Sequence, residues 1–295
     1  MQSFSPGLYL VATPIGHADD LSLRARDVLA AADLVLCEDT RVTSKLFALH
    51  DLSRPLAPYH DHNGAEMRPK VLKRLGQGQV IALVSDAGTP LLSDPGLKLV
   101  QAALDEGHAV TAVPGASALL AALSLAGLPT DRFFFAGFPP PKQQARRSVL
   151  ASYAAIPGSL VFYESANRLA GFLEDAAGAL GDRPAAVARE LTKRFEEVRR
   201  DRLSALATHY AEAGPPKGEI VIVIAPPDKK AASDDEIDGL IARALEGTSL
   251  SRAVADVAAA TGRPRKQVYD RALALREAQR SDEEDDTSDS GGETR

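Results

Sequence analysis

The sequence predicts an α/β protein made of two α/β domains and a small C-terminal helical module. Short apolar runs alternate with segments of helical length through the first 115 residues, which is typical of βαβ units and a mostly parallel sheet. Beyond Pro114-Gly115 the order of strands and helices changes, which favours a mixed sheet in a second domain. At 295 residues with 45% hydrophobic content, the chain can bury more than one core.

Each element of the first domain has a recognisable pattern or boundary. Ser22 can cap a helix, and Gly76 and Gly107 can end two others. The predicted strands are Leu8–Ala12, Leu34–Cys37, Val80–Val84 and Val110–Val113, the predicted helices are Ser22–Ala32, Thr43–Leu49, Ala65–Leu75 and Pro95–Glu106, and Pro55–Asn63 is extended or loop.

The second domain is predicted from the same kinds of signal. Its strands are Phe133–Ala136, Ser159–Tyr163, Ala185–Ala188, Phe195–Val198 and Ile220–Ala225, and its helices are Ala116–Ala126, Gln143–Ala155, Asn167–Leu180 and Ser204–Ala213. The predicted boundaries are 1–115 and 116–227 for the α/β domains, 228–234 for a linker, 235–280 for the helical module and 281–295 for a tail.

The net charge of −6 comes from the tail. Ser281–Arg295 carries seven acidic residues and one arginine, so the rest of the chain is neutral. The tail has no apolar residue and is predicted to be disordered. The global charge therefore says nothing about whether the folded part binds nucleic acid.

Several features bear on compartment and membrane. The single cysteine, Cys37, rules out an internal disulfide framework and fits a reducing cytoplasm. The first residues do not have the pattern of a signal peptide. The uncharged stretch from Ala109 to Thr130 is long enough to span a bilayer, but Pro114-Gly115 interrupts it, so we interpret it as a buried strand, a turn and a buried helix.

Common catalytic motifs are missing from the sequence. It contains neither G-x-G-x-x-G after the first strand nor G-x-x-x-x-G-K-[ST], which argues against a dinucleotide oxidoreductase and a P-loop NTPase. It has no zinc-ligand spacing and no G-x-S-x-G turn. Metal and acyl-transfer chemistry are therefore not expected.

Polar clusters follow the apolar runs of the first domain. The most informative stretch, Val80–Gly96, opens as a buried strand, breaks into Ser85-Asp86-Ala87-Gly88-Thr89-Pro90, and is expected to restart as a helix at Asp94-Pro95. The other clusters are Thr13-Pro14-Ile15-Gly16, Glu38-Asp39-Thr40-Arg41, His60-Asp61-His62-Asn63 and Pro114-Gly115-Ala116-Ser117. Because ligands of open parallel sheets bind beyond the carboxyl ends of the strands, these clusters favour one shared ligand crevice over separate loops.

These segments resemble the ribosomal RNA small-subunit methyltransferase I family of the S-adenosylmethionine-dependent tetrapyrrole-methylase superfamily. The resemblance runs from Leu8 to about Ala225, and the helical module is similar to the C-terminal extension of that family. It also includes Gly127–Phe133, Phe162–Ser165, Ala188–Lys193 and Lys217–Glu219. The family usually has Asn-Leu where this chain has His17-Ala18.

The resemblance implies methyl transfer from S-adenosylmethionine to the 2′-hydroxyl of a cytidine in the decoding region of 16S ribosomal RNA. It further implies a cytoplasmic homodimer that acts on the small ribosomal subunit, needs no metal or membrane, and holds the donor between its two α/β domains. The implied donor-binding residues are Pro14, Asp86, Ala87, Gly88, Thr89, Pro90, Ser117, Ala118, Tyr163, Lys217 and Gly218.

On the acceptor side, the resemblance marks Glu38, Asp39 and Arg41 as catalytic candidates. A ribose hydroxyl is a weak nucleophile at neutral pH, so Glu38 or Asp39 is expected to orient it or take its proton, and the sequence leaves the identity of the base open. The RNA-binding candidates are His62, Asn63, Lys142, Arg146, Arg147, Arg189, Lys193, Arg263, Arg265 and Lys266.

Other interpretations stay open at this point. Arg189, Glu190 and Lys193 could form a salt-bridge network between the domains instead of binding RNA. The module has two short helices joined at Thr261-Gly262, typical of a helix-turn-helix, but it could pack only on the body or on a second subunit. As a whole, the chain could instead be a C-methyltransferase of tetrapyrrole precursors, or a nucleotide-binding regulator without enzymatic activity and with a nucleic-acid-binding module.

Overall fold

The computed structural model describes residues 4–228 and 234–289, with side chains up to residue 277 in the last helix. The chain divides into two compact units, Met1–Pro227 and Asp228–Arg295, which we call the body and the C-terminal module. The body contains two five-stranded sheets, the first parallel and the second mixed, which confirms the predicted fold class.

The first sheet is parallel and has the strand order β3-β2-β4-β1-β5. Alternate residues of β4 enter different cores, with Ile81 and Leu83 on one face and Ala82 and Val84 on the other. Burial on both faces explains why β4 is an uninterrupted apolar run. The elements are β1 (Gly7–Val11), α1 (Leu23–Ala31), β2 (Leu34–Cys37), α2 (Thr40–Leu49), β3 (Leu56–Pro58), α3 (Gly64–Gly76), β4 (Val80–Val84), α4 (Leu97–Asp105) and β5 (Val110–Val113).

The second sheet is mixed and has the order β6-β7-β10-β8-β9, in which only β6 and β7 are parallel. Helix α5 covers one face, and helices α6, α7 and α8 cover the other. Ile15, from the loop after β1, packs in the α5 core, so the two α/β domains share buried surface. The elements are α5 (Ala118–Ala126), β6 (Phe133–Gly137), α6 (Gln143–Ser152), β7 (Ser159–Glu164), α7 (Leu169–Leu180), β8 (Pro184–Arg189), β9 (Glu197–Arg202), α8 (Leu203–Ala213) and β10 (Ile220–Ile224).

The C-terminal module consists of helices α9 (Asp234–Leu245), α10 (Leu250–Thr261) and α11 (Arg265–Asp289). Its core includes Ile237, Ile241, Val254, Val257 and Val268. Helix α10 ends at Gly262, whose φ of 70° suits a left-handed cap and turns the chain into α11. Most of the predicted linker, residues 229–233, lies outside the described residues.

Several element boundaries differ from the prediction; α2, for example, begins at Thr40 instead of Thr43, and α6 ends at Ser152 instead of Ala155. Helix α4 begins at Leu97 instead of Pro95, because Gly96 has a positive φ angle that a right-handed helix cannot contain. Strand β9 begins at Glu197 instead of Phe195. It is a polar edge strand paired only with β8, so no apolar alternation marks it in the sequence.

Helix α11 continues from the module to Asp289, through the first part of the segment predicted to be a disordered tail. Extending an existing helix adds hydrogen bonds without a new nucleation cost, so a segment without apolar residues can continue it. Residues 290–295 lie outside the described part. Among the described residues, no helix has the length and apolar character needed to cross a membrane.

Candidate functional site

A cavity of about 460 Å³ lies between the two α/β domains of the body. On one side it is bounded by the loop after β4, and on the other by the end of β7 and the start of β10. The predicted donor-binding residues that line it are Asp86, Ala87, Gly88, Thr89, Ser117, Ala118, Tyr163 and Gly218. The structure therefore brings most of the predicted donor site to one place.

The loop after β4 is fixed to three neighbouring strand ends. Gly88 exchanges backbone hydrogen bonds with Thr13, at 2.9 and 3.0 Å. The Thr89 hydroxyl donates to the carbonyl of Ala116 at 3.1 Å, and the Asp39 N–H donates to the Asp86 carboxylate at 3.1 Å. This wall of the cavity is thus preorganised by the ends of β1, β2 and β5.

Gly218 allows a close backbone approach in the opposite wall. Its φ is 105°, and an added Cβ would come within 2.3 Å of the Glu190 carboxyl group. That carboxylate accepts hydrogen bonds from the Glu219 N–H at 3.2 Å and from Lys193 Nζ at 2.9 Å. A larger residue at Gly218 would displace the carboxylate that holds this loop.

The two domains touch directly beside the cavity. The His17 N–H donates to the Thr192 hydroxyl at 3.0 Å, so this departure from the usual family residue lies at a domain contact that uses the backbone. A Cβ on Gly16 would come within 2.9 Å of the Leu191 carbonyl oxygen and closer still to Thr192 and Lys193. Small size at Gly16 is therefore required for the domains to meet.

Asp94 is a lining residue that the sequence analysis did not select. Burial, together with the negative charges of Glu38 and Asp86, raises its pKa to about 6, although the Ser85 hydroxyl opposes the rise. In the sequence, Asp94 precedes Pro95 at the predicted start of a helix, a place typical of a capping residue. The signal that could have found it is an acidic residue inside the same Gly- and Pro-rich stretch as Asp86.

Ser117 and Glu164 line the cavity, and each has one buried side-chain oxygen without a hydrogen-bond partner among the described residues. These atoms are Ser117 Oγ and Glu164 Oε2. Ser117 occupies the N-cap position of α5, but its side chain does not cap the helix. Neither oxygen is exposed, so both lie behind the surface of the cavity.

Further lining residues missed from the sequence belong to the second domain. Phe138, Glu164, Leu191 and Glu219 follow or precede strands of the mixed sheet. Glu164 could have been found as the charged residue that ends the buried strand β7. Leu191 and Glu219 lie in the segments Ala188–Lys193 and Lys217–Glu219 that carry the resemblance, but only folding brings these loops and Phe138 to the cavity.

A second cavity of about 270 Å³ adjoins the first and shares Asp86 and Ala87 with it. Pro14 was predicted to bind the donor, but it lines this second cavity and not the first one. Pro90 and Lys217 line neither cavity. Lys217 uses its carbonyl to accept a hydrogen bond from Arg189 at 3.0 Å.

The predicted catalytic residues lie beside the cavities and not in their walls. Neither wall, as the described residues build it, includes Glu38, Asp39 or Arg41. Arg41 makes a bidentate ion pair with Asp39, at 2.6 Å for the shorter contact, and lowers the pKa of Asp39 to about 2. Asp39 is therefore a weak base, and its carboxylate caps α2.

Two predicted RNA-binding arginines are engaged inside the second domain. Arg146 is only 7% exposed and pairs at 2.6 Å with the buried carboxylate of Asp175, so its assignment as an RNA contact is wrong. Arg147 is half-exposed, but its Nε also donates to Asp175 at 2.6 Å. A buried carboxylate needs such partners, which explains the basic cluster without RNA.

Arg189 and Lys193 form salt bridges within the second domain. Arg189 pairs with Glu197 at 2.9 Å, and Lys193 pairs with Glu190 and Glu219 at 2.9 and 3.0 Å. The predicted alternative of a salt-bridge network is thus present, but it does not run between the domains.

Among the remaining RNA-binding candidates, some side chains hold the local structure and others are exposed. Asn63 uses its side chain to hold the loop before α3, through the His60 N–H and the Pro58 carbonyl. In the module, Arg263 pairs with Asp234 at 3.3 Å. The side chains that are exposed are His62, Lys142, Arg265 and Lys266.

Family models match both units. The model described as tetrapyrrole (corrin/porphyrin) methylases matches residues 7–207, and one described as the RsmI C-terminal HTH domain matches residues 231–276. A protein named ribosomal RNA small subunit methyltransferase I from Mesorhizobium japonicum is 48% identical over 92% of this chain and 93% of its own. The chain belongs to the ribosomal RNA small subunit methyltransferase I family. A family member from Erythrobacter litoralis is also 48% identical, over 93% of this chain and 97% of its own.

Solved structures share the fold of the body. A diphthine synthase has a TM-score of 0.58 at 18% identity and covers 74% of this chain and 89% of its own. Uroporphyrin-III C-methyltransferase from Thermus thermophilus, complexed with S-adenosyl homocysteine, has a TM-score of 0.51 at 23% identity, covering 74% and 96%. At these identities the likeness shows the fold only. The described residues contain no group of three or more His, Cys, Asp or Glu placed to hold a metal ion.

Proposed function

We propose that this protein transfers a methyl group from S-adenosylmethionine to the 2′-hydroxyl of a cytidine in the decoding region of 16S ribosomal RNA. The observation that carries this proposal is the interdomain cavity in a member of the ribosomal RNA small subunit methyltransferase I family. One side of this cavity is a preorganised loop from the parallel sheet.

The residues of the cavity fit the proposed donor. Asp86 and Asp94 supply negative charge on one side, which suits a cationic ligand. Backbone groups of Ala87, Gly88 and Thr89 line the remainder of this side, and Gly218 lines the opposite wall. When bound, S-adenosylmethionine supplies a methyl group on a positively charged sulfur, already activated for transfer.

Asp94 is the best-placed proton acceptor. Its carboxylate lines the cavity, and a pKa of about 6 leaves it mostly deprotonated at neutral pH yet basic enough to take a proton. The bound donor would supply a methyl group that bonds to the ribose 2′-oxygen as its bond to sulfur breaks, the electron pair of that bond staying on sulfur so that S-adenosylhomocysteine leaves. Asp94 would accept the hydroxyl proton on a carboxylate oxygen. Glu38, next to the cavity, helps to keep the pKa of Asp94 raised, which gives it a supporting role.

The RNA is proposed to contact exposed basic residues of both units. His62 and Lys142 are exposed on the body, and Arg265 and Lys266 are exposed at the first turn of α11. Phosphate contacts of this type position the nucleic acid and are weakened by salt. Arg263 is proposed to shape the turn before α11 through Asp234.

The proposed assembly is a homodimer in the cytoplasm. In support, β6 lies at the edge of the mixed sheet, and its Phe133 and Phe134 side chains are exposed. Sedimentation of the purified protein at several concentrations tests this, since a monomer at all of them would exclude the dimer.

The activity is tested by offering one labelled methyl donor to three acceptors. These are isolated small ribosomal subunits, naked 16S ribosomal RNA and a tetrapyrrole precursor. We expect label in small-subunit RNA at a single cytidine, with the adjacent phosphodiester resistant to alkali because the 2′-oxygen is blocked. Label in the tetrapyrrole would support C-methylation instead, and no label in any acceptor would favour a regulator without enzymatic activity.

A further inference from the structure

The second cavity, of about 270 Å³, lies beside the cavity that we propose for the methyl donor. Four residues line both cavities, so the two spaces meet there: Ile15, Asp86, Ala87 and Glu219. A cavity of roughly 150 Å³ can hold a benzene ring, so the second cavity has room for one aromatic ring. A ring bound there lies next to a donor in the first cavity.

An apolar stripe of α2 lines the second cavity. Val42, Leu46 and Leu49 are four and three residues apart, which places them on one face of the helix. Val42 is 38% and Leu49 is 68% exposed, so the rest of the body does not cover this stripe completely. Apolar side chains of this kind suit the faces of an unstacked nucleic-acid base.

Lys193 and Glu219 place a hydrogen-bond donor and an acceptor side by side in the lining of this cavity. Lys193 Nζ donates to Glu219 Oε2 at 3.0 Å and to Glu190 Oε1 at 2.9 Å. An ammonium group has three N–H donors, so one is left after these two contacts. The Glu219 side chain is 73% exposed, so a ligand can reach its carboxylate.

The position and the charge of this pair limit what it can bind. A Cβ on Gly16 would come within 2.5 Å of Lys193 Cγ, so the lysine stem packs closely on the loop after β1. Two carboxylates in the lining formed by the described residues, Asp86 and Glu219, outnumber the ammonium group of Lys193. This balance disfavours a phosphate and favours an uncharged group that carries an N–H donor.

We propose that the second cavity binds the base of the acceptor nucleotide, and that Lys193 and Glu219 select cytosine over uracil. The Glu219 carboxylate accepts a hydrogen bond from the cytosine amino group, and Lys193 donates one to the neighbouring ring nitrogen N3. Uracil has a carbonyl oxygen and an N–H at these two positions, so it faces Glu219 with an acceptor and Lys193 with a donor. This inference rests on the proposed function, because the 2′-hydroxyl must reach the donor while the unstacked base enters the adjoining cavity.

The test compares two forms of the small ribosomal subunit as substrates of the full-length protein. The subunits are reconstituted from 16S ribosomal RNA transcripts that carry either cytidine or uridine at the methylated position. For the unchanged protein we expect kcat/KM to be about 10- to 100-fold lower with uridine, because two base contacts become mismatched. Equal kcat/KM for the two substrates would overturn the proposal without any variant.

Glu219→Gln tests the residue that reads the amino group. An amide can donate to the uracil carbonyl, so the preference for cytidine over uridine should fall by about 10-fold or more. Glu212→Gln is the matched control, since Glu212 is an exposed carboxylate on α8, and it should keep the full preference. An unchanged preference in Glu219→Gln would refute the role of Glu219.

Leu46→Trp tests whether the base enters the second cavity. A larger side chain in the apolar stripe should fill part of this space and lower kcat/KM for the cytidine subunit by about 10- to 100-fold. Binding of S-adenosylhomocysteine, measured by calorimetry, should stay unchanged because Leu46 lines the second cavity alone. Leu23→Trp, at an exposed position of α1, is the control and should change neither quantity. Full activity of Leu46→Trp would exclude the second cavity as the site of the base.

The two levels of the proposal fail differently. If the unchanged protein methylates neither form of the small subunit, the proposed function itself is wrong. If it methylates both forms equally well, the proposed function stands and only the assignment of Lys193 and Glu219 as the residues that select cytosine is wrong.

Discussion

At the scale of single residues, the carboxyl groups in and beside the cavity have different pKa values because their surroundings differ. Asp39 lies beside Arg41 and has a pKa lowered to about 2, whereas Asp94 faces Glu38 and Asp86 in a half-buried position and has a pKa raised to about 6. Acid and base roles follow from such differences. The four carboxylates are close in the fold, and Asp94 combines a place in the cavity wall with a pKa raised to about 6.

Asp94→Asn tests the proton acceptor. In the unchanged protein, kcat/KM should rise with pH through about 6 and then level, because Asp94 must be deprotonated to act. The variant should lose this rise and about 10²- to 10⁴-fold in rate, which is the usual contribution of a general base. Asp39→Asn is the control and should keep the rise near pH 6. Persistence of the rise in Asp94→Asn would exclude Asp94 as the base.

The same variant has a stability consequence of known sign. A carboxyl group with a raised pKa binds more protons in the folded state, so it destabilises the fold as pH rises from about 4 to about 6. Asp94→Asn should therefore increase the free energy of unfolding at pH 7 by about 1 kcal/mol, after allowance for solvent screening. Denaturant unfolding of both proteins at pH 4 and pH 7 measures this difference in the free energy of unfolding. The difference should be smaller at pH 4.

At the scale of elements, the loops that end strands hold the two domains together. Gly16 and His17 follow β1, and Leu191 to Lys193 follow β8. Their contact is short and partly backbone, with the His17 N–H bonded to Thr192. Positive φ angles at Glu190 and Thr192 show that this loop adopts a backbone that most residues avoid. The contact between the two domains therefore depends on the backbone conformation of these loops and on few side chains.

Gly16→Ala tests this contact. The new methyl group would meet the Leu191 carbonyl at 2.9 Å, so we expect a loss of about 1–3 kcal/mol in stability and weaker binding of S-adenosylhomocysteine. Gly178→Ala is the matched control, because an added Cβ there meets nothing within 4 Å, and it should leave both quantities equal or improved. Donor binding at full strength in Gly16→Ala would show that the cavity does not depend on this contact.

At the scale of the whole molecule, we propose different tasks for the two compact units. The body contains the interdomain cavity, and the C-terminal module presents Arg265 and Lys266 on the exposed first turn of α11. Other arginines of the module are used internally, such as Arg271, which pairs with Asp238. Such a division allows RNA affinity and donor affinity to be changed separately.

Replacing Arg265 and Lys266 by Gln tests this division. Each lost phosphate contact should reduce the slope of log affinity against log salt by about 0.7–0.9, while S-adenosylhomocysteine binding stays unchanged. Arg24→Gln with Arg26→Gln, two exposed residues of α1, is the control for loss of charge. An unchanged salt slope for small-subunit RNA would indicate that the module does not contact phosphates.

Local sequence patterns predicted the elements well where a core decides them. Strand β4 and its polar loop lie at the predicted place because two buried faces require an apolar run, and Gly88 requires a positive φ. The prediction from sequence failed where residues distant in the chain determine the local structure. Arg146 was expected at the surface, yet the buried Asp175 attracts it, and β9 had no apolar signal because it is an edge strand.

The sequence by itself determined the two α/β domains, the helical module and the stretch Val80–Gly96 as the centre of the site. It could do so because buried strands and Gly-Pro loops follow from local chemistry. Only the tertiary structure decided that Asp94 is a half-buried carboxyl group with a raised pKa and that Asp39 is paired with Arg41. These properties depend on burial and on neighbours distant in the chain, which a sequence pattern does not contain.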